Sequence, residues 1–222
     1  LDSDRRCYGF FHPRLPNEPL IFVEVALVDK ISSSITPLLD EAAAPVDITR
    51  ATTAIFYSIS NTQTGLRGVS FGDSLIKHVV ETLTAEFPRL RTFATLSPIP
   101  GFRAWLSKHA GAMLDRLDDK RRSELGRAVG FEPPQATHLL GAVDKALELD
   151  AKSPVRQMLL ECAAYYLGRE LQEGKPADPV ARFHLGNGAR VERLNWAGDP
   201  SGKGQKPVSY THLRAHETRH DL

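Results

Sequence analysis

Apolar positions in this chain follow two rhythms. Residues 19–28, PLIFVEVALV, are an almost unbroken run of β-branched and aromatic residues, which predicts a strand. Residues 52–60, TTAIFYSIS, predict a second, and residues 91–97, RTFATLS, a third, closed by the rigid turn Pro98-Ile99-Pro100-Gly101. Between the second and third the period changes. Phe71, Leu75, Val79, Leu83 and Phe87 recur every four residues with Ile76 and Val80 beside them, one face of an amphipathic helix that ends at Pro88. A short helix is predicted over residues 31–39, capped by Ser32, Ser33 or Ser34, with a loop at residues 42–47.

The pattern is helical from residue 102 to 173: segments 103–109, 116–129, 135–149 and 155–171 are punctuated by Pro133-Pro134, Pro154 and Gly174. This reads as an insertion of antiparallel helical hairpins. Strands are expected again at 180–185 and 190–196, joined by Gly186-Asn187-Gly188, because Asn-Gly between extended segments is a hairpin signal. The fold class is therefore α+β: a mixed sheet with one β-loop-α unit and a helical insert. The expected division is core to 101, insert at 102–176, core again at 177–206, then a tail.

Composition narrows the function classes. Of 222 residues, 41% are hydrophobic and 25% charged, which excludes general disorder. Lys+Arg 28 against Asp+Glu 27 gives a net charge of +1, so no bulk field favours nucleic acid or an anionic membrane, though a local basic site for a phosphorylated small molecule is compatible. The longest apolar run, residues 20–27, is interrupted by Glu24 and too short to span a membrane. Two cysteines, Cys7 and Cys162, supply neither a disulfide framework nor a structural zinc site. Cys162, between Leu159-Leu160 and Ala163-Ala164, reads as a buried thiol in a reducing compartment, and a bacterial-type cytoplasmic location is the expectation. Both ends read as incomplete. Residues 208–218, VSYTHLRAHET, resemble an in-frame translation of a transposase sequencing adaptor. Native sequence is expected to stop near residues 205–207, leaving His212, His216 and His220 without a metal role.

Three places carry candidate chemistry. The loop QTGLRGVSFGD, residues 63–73, lies between a strand and a helix. Its glycines at 65, 68 and 72 permit close backbone approach, the free amides of the next helical turn favour an anion, and Arg67 adds a donor fork. On spacing alone this is a phosphate cradle or a tight strand-to-helix turn. It is neither a Walker loop nor GxGxxG. Ser97 ends a strand, where polar groups of open sheets face ligands, although a serine before proline also serves turns. His184, in FHLGNGA, sits at an expected strand end and titrates near neutrality, as a proton donor requires; a hydrogen-bonded structural histidine is the plain alternative. His12 and His78 have no converging partners, His109 and His138 read as structural, and no spacing resembles a metal site. Arg190, Glu192 and Arg193 read as a half-exposed strand with a cross-strand charge pair, against the alternative of an arginine that meets an acidic substrate.

The blocks RRCYGFFHPRLPNEPLIFVEVAL, TTAIFYSISNTQTGLRGVSFGDSLIK, RTFATLSPIPGF and DPVARFHLGNGARVERLNW, in this order, resemble malonyl-CoA decarboxylases. The likeness runs from Arg5 to about residue 204 and is looser over residues 102–173. It implies a GNAT-like acyltransferase sheet, preceded in the family by a helical domain, and conversion of malonyl-CoA to acetyl-CoA and CO2. By the resemblance, Arg67, Gly68, Val69, Ser70, Phe71, Gly72 and Asp73 form the CoA-binding segment, and Ser97 and His184 are the catalytic serine and histidine. Some family members carry an acidic residue at the place of Ser70, which puts the weight on the loop backbone. The implied chemistry needs no cofactor, because the thioester accepts the electrons released with CO2. His184 would protonate C2, while Ser97 either positions the malonyl group or acts as the proton acceptor the family assigns. Implied partners are malonyl-CoA and acetyl-CoA, neither nucleic acid nor membrane, with a homo-oligomer left open. An acyl-CoA N-acyltransferase and a non-catalytic CoA-binding module remain as alternatives. A shared site requires Ser97 and His184 to be neighbours.

Overall fold

The apolar run at 20–27 lies inside a sheet. A computed structural model of the chain describes residues 3–40, 42, 44, 46–62, 71–199 and 212–217, with Asn61, 71–73 and 212–217 described by backbone only. Strand β1 (Arg5–His12) pairs antiparallel with β2 (Leu15–Val28), Tyr8 opposite Val23. Pattern reading missed β1: its signal is the aromatic content of Tyr8, Phe10 and Phe11 ahead of a His12-Pro13 turn. The second half of β2 pairs antiparallel with β3 (Thr53–Asn61), with a register shift between Glu24 and Val25. Val23, Val25, Ala26 and Leu27 are fully buried. Burial alternates from Ile21 to Glu24 and is continuous over Val25–Val28, where the unbroken apolar stretch fits a strand covered on both faces.

The chain then passes through α2 (Phe71–Glu86) into β4 (Thr92–Ser97), which lies parallel to β3 with Phe56 opposite Thr95. β3 and β4 thus leave the sheet toward the same edge. Leu75, Ile76, Val79 and Leu83, the predicted apolar stripe, are buried, and α2 packs against β2. Helix α1 (Thr36–Leu39) is shorter than expected, and its serines do not cap it. Ser32 and Ser34 close turns instead: the Ser32 hydroxyl donates to the Ser34 carbonyl at 2.6 Å, and the Ser34 hydroxyl accepts from Thr36 N–H at 3.2 Å. The side chain of Arg5 donates to the α1 carbonyls of Leu38 and Pro37. The strand order is β1-β2-β3-β4-β8-β7, where β7 is Arg190–Asn195 and β8 is His212–Glu217. β8 comes from the segment expected to be foreign. A strand position is held by main-chain groups that every non-proline residue carries.

Residues 1–96, 187–192 and 214–222 form one compact unit; residues 97–186 and 193–213 form another. Within the second, residues 102–169 hold four α-helices, α3 (Phe102–Asp115), α4 (Asp119–Val129), α5 (Ala136–Asp144) and α6 (Pro154–Arg169), matching the helical reading of this stretch. Asp118 caps α4 through Arg121 N–H at 2.8 Å, Gly130 ends it at φ 75°, and Ser153 with Pro154 opens α6. Ile99, Phe102, Leu106, Leu125, Leu139, Leu159 and Cys162 build its core. The Cys162 thiol is fully buried, as read from the sequence, and burial pushes its pKa up to about 12, leaving an inert thiol. His109 stacks on Trp105 and His138 on Phe131, and His138 Nδ1 accepts from Gln135 N–H at 3.0 Å. A two-strand ribbon, β5 (Leu171–Gln172) and β6 (Lys175–Pro176), follows. Among the described residues no cluster of His, Cys, Asp or Glu is placed to hold a metal, and no helix is long and apolar enough to cross a membrane.

One expectation is corrected. Residues 180–185 are not a strand; they belong to helix α7 (Pro179–Gly186). Asp178 and Pro179 are an N-cap and first-turn pair, and Gly188 at φ 85° lies just beyond the helix end, so Asn187-Gly188 follows a helix instead of turning a hairpin. Arg190 and Glu192 do pair, at 3.5 Å, but along one exposed strand.

Leu106 is fully buried in the helical core. Leu106→Ala is expected to lower unfolding free energy by about 2–5 kcal/mol, read from the urea midpoint with an unchanged m-value.

Candidate active site

His184 owes its position to local sequence chemistry. Asp178 Oδ1 accepts hydrogen bonds from Val180 N–H and Ala181 N–H, both at 3.0 Å, which starts α7. Ala181 and His184, three residues apart, share its buried face, at 0% and 3% exposure. Ser97 is the last residue of β4 and is also buried. Across 87 residues of sequence, Ser97 Oγ and His184 Nε2 meet at 3.0 Å. The two residues expected to share a site are therefore neighbours.

Burial governs the state of this pair. Removing water from around an imidazole penalises its charged form. That desolvation lowers the His184 pKa from the ordinary 6.5 to about 4, so the ring is neutral at physiological pH. One proton lies in the hydrogen bond: either the hydroxyl donates to a bare Nε2, or Nε2–H donates to Oγ. Nδ1 has no hydrogen-bond partner among the described residues, and the ring of Phe183 stands edge-on to the imidazole at 5.0 Å. A dry serine–imidazole pair can activate the hydroxyl, orient a bound acyl group, or pass a proton without carrying a net charge.

Three residues overlooked in the sequence join this neighbourhood. Asp178 is fully buried; its Oδ2 accepts from Gly101 N–H at 3.3 Å and from the Tyr166 hydroxyl at 3.4 Å. Burial, then the Asp178 carboxylate, pushes the Tyr166 phenol up to about 12, so it remains a donor. The signal was available: Asp-Pro before an apolar run marks a helix start.

Arg67, Gly68, Val69 and Ser70 of the expected CoA-binding segment lie outside the described residues. Phe71, Gly72 and Asp73 form the first turn of α2, with their side chains likewise outside the description.

With this geometry in view, the comparisons with known proteins are specific. The family described as malonyl-CoA decarboxylase C-terminal domain matches residues 1–212. The chain belongs to that family. Mitochondrial malonyl-CoA decarboxylase of Anser anser anser is 38% identical over 211 residues, covering 90% of this chain and 42% of the relative. That of Mus musculus is 39% identical over 212 residues, with the same coverage. The crystal structure of malonyl-CoA decarboxylase from Cupriavidus metallidurans is 50% identical with a TM-score of 0.82, over 98% of this chain and 53% of that one. The Agrobacterium vitis structure is 41% identical with a TM-score of 0.77, over 100% and 52%. The chain thus spans about half the length of the malonyl-CoA decarboxylases it matches.

The His184 shift has a consequence for stability. Between pH 6.5 and about 4 the unfolded chain binds a proton at this histidine that the folded chain refuses, so stability falls as pH falls through that window. Each pKa step of one is worth about 1.4 kcal/mol, so the full acid-side loss is roughly 3 kcal/mol. In denaturant titrations at pH 7 and pH 4.5, this decline is expected to shrink markedly in His184→Asn.

Proposed function

We propose that this chain carries the decarboxylating centre of a malonyl-CoA decarboxylase, converting malonyl-CoA to acetyl-CoA and CO2. The buried contact between Ser97 and His184 at 3.0 Å supports it most strongly. When the C2–carboxylate bond breaks, its electron pair passes into the thioester carbonyl as an enolate. Protonation at C2 then restores the thioester, and one proton is consumed overall. His184 supplies that proton at C2, and water returns it to the imidazole. Ser97, on the other side of the hydrogen bond, orients the malonyl group. A bound malonyl carboxylate also brings a negative charge to a dry site, which raises the imidazole pKa toward the range a donor needs. The thioester is itself the electron sink, so this step calls for no biotin, thiamine, pyridoxal or metal.

The same reading gives residues 67–73 the nucleotide part of CoA. Arg67 would meet phosphate oxygens, and the amides opening α2 would add donors. Binding energy gathered far from C2 fixes the geometry at C2. The acyltransferase-like sheet implied by the sequence resemblance is consistent with the mixed sheet, in which β3 and β4 are parallel and joined through α2.

The test follows CO2 release and acetyl-CoA formation in a protein carrying this chain at its relatives' full length. His184→Ala is expected to lower kcat by about 100-fold or more, the scale of losing a proton donor, with CoA affinity unchanged. Arg67→Ala is expected to weaken CoA binding and reduce its salt dependence, with little change in affinity for phosphate-free pantetheine. Normal turnover in His184→Ala, or acyl transfer to an added amine in place of CO2 release, contradicts the reading.

A further inference from the structure

We propose that Asp178 is a positioning residue that sets the register between Ser97 and His184 by joining, through its two carboxylate oxygens, the helix bearing the histidine to the turn that follows the serine. The inference rests on the proposed decarboxylation for its kinetic consequence and on geometry alone for its structural one.

Each oxygen has a separate task. Oδ1 receives two amides at the start of α7, Val180 N–H and Ala181 N–H, both at 3.0 Å. His184 lies six residues on, about 9 Å along the helix axis, so any swing of the α7 start moves the imidazole. Oδ2 receives Gly101 N–H at 3.3 Å, four residues beyond Ser97 on the turn stiffened by Pro98 and Pro100. The Tyr166 hydroxyl reaches Oδ2 from α6 at 3.4 Å and fixes the carboxylate from a third element. A fully buried carboxylate is tolerable only where donors replace its water, and four donors converge here. Gly101 also leaves space for this arrangement. A Cβ there would collide with the Tyr166 hydroxyl. No histidine, serine or substrate group is touched by Asp178 in these contacts; it acts through the elements it joins.

Two substitutions separate the tasks. Serine and asparagine both cap helices, so Asp178→Ser and Asp178→Asn preserve the Oδ1 function while losing the Oδ2 acceptor or turning it into a donor facing other donors. In the full-length protein carrying this chain, both variants are expected to remain folded and to lose about 10- to 100-fold in kcat, with KM for malonyl-CoA within about two-fold, the mark of misplaced reacting groups. Tyr166→Phe keeps the packing, removes one donor, and gives a smaller loss of the same kind. A second readout does not need turnover. The 15N resonance of His184 Nε2 reports its hydrogen bond to Ser97 and is expected to move toward the unbonded position in Asp178→Ser. Folded variants with kcat within two-fold of the parent, or an unmoved Nε2 resonance, overturn the proposal. A parent that releases no CO2, together with a shifted Nε2 resonance in the variant, rejects the decarboxylase reading and upholds the positioning role.

Discussion

Exclusion of water from one imidazole is the constraint on which the site depends. His184 is 3% exposed and Ser97 7% exposed, and their contact is sealed inside the packing of α7 and the end of β4. In water the ring would be half protonated near pH 6.5; here the charged form is disfavoured down to about pH 4. A neutral ring beside a hydroxyl adds no positive charge at the acyl group. Under the proposed reaction, the charge that matters is then the substrate's, and the ring's affinity for a proton responds to the malonyl carboxylate.

That arrangement comes from a short helix that would not persist alone. Eight residues are too few for a stable isolated helix. α7 is held by the Asp178 cap at one end and by burial of Ala181 and His184 along one face. The aromatic residues Phe102, Trp105 and Tyr166 belong to the same core cluster as Ala181, so α7 is anchored in the helical unit. Chemistry and stability here draw on the same atoms, and the pH dependence of folding reports on the site.

Legibility in the sequence followed the strength of the local signal. β2, β3, β4 and α2 were readable because burial on one or two faces forces apolar periodicity, and the start of α6 because Pro154 has few alternatives. α7 was misread because Asn187-Gly188 serves a hairpin turn and a helix end equally well, and because FHL has no period long enough to decide. Asp178-Pro179 would have decided it. Ser97 and His184 were named from family resemblance and strand-end position. Their contact spans 87 residues, a distance that no local pattern encodes. Asp178 was overlooked for a different reason: three of its four donors are main-chain amides, which leave no complementary residue in the sequence to find.

The most direct measurement is an NMR titration of the His184 imidazole in the intact protein, without and with a non-decarboxylating malonyl-CoA analogue. The account predicts a ring that stays neutral from pH 7.5 to pH 5 in the free protein and gains protons at higher pH once the analogue's carboxylate is bound. A free-state midpoint at or above 6.5, or one unmoved by the analogue, would contradict it.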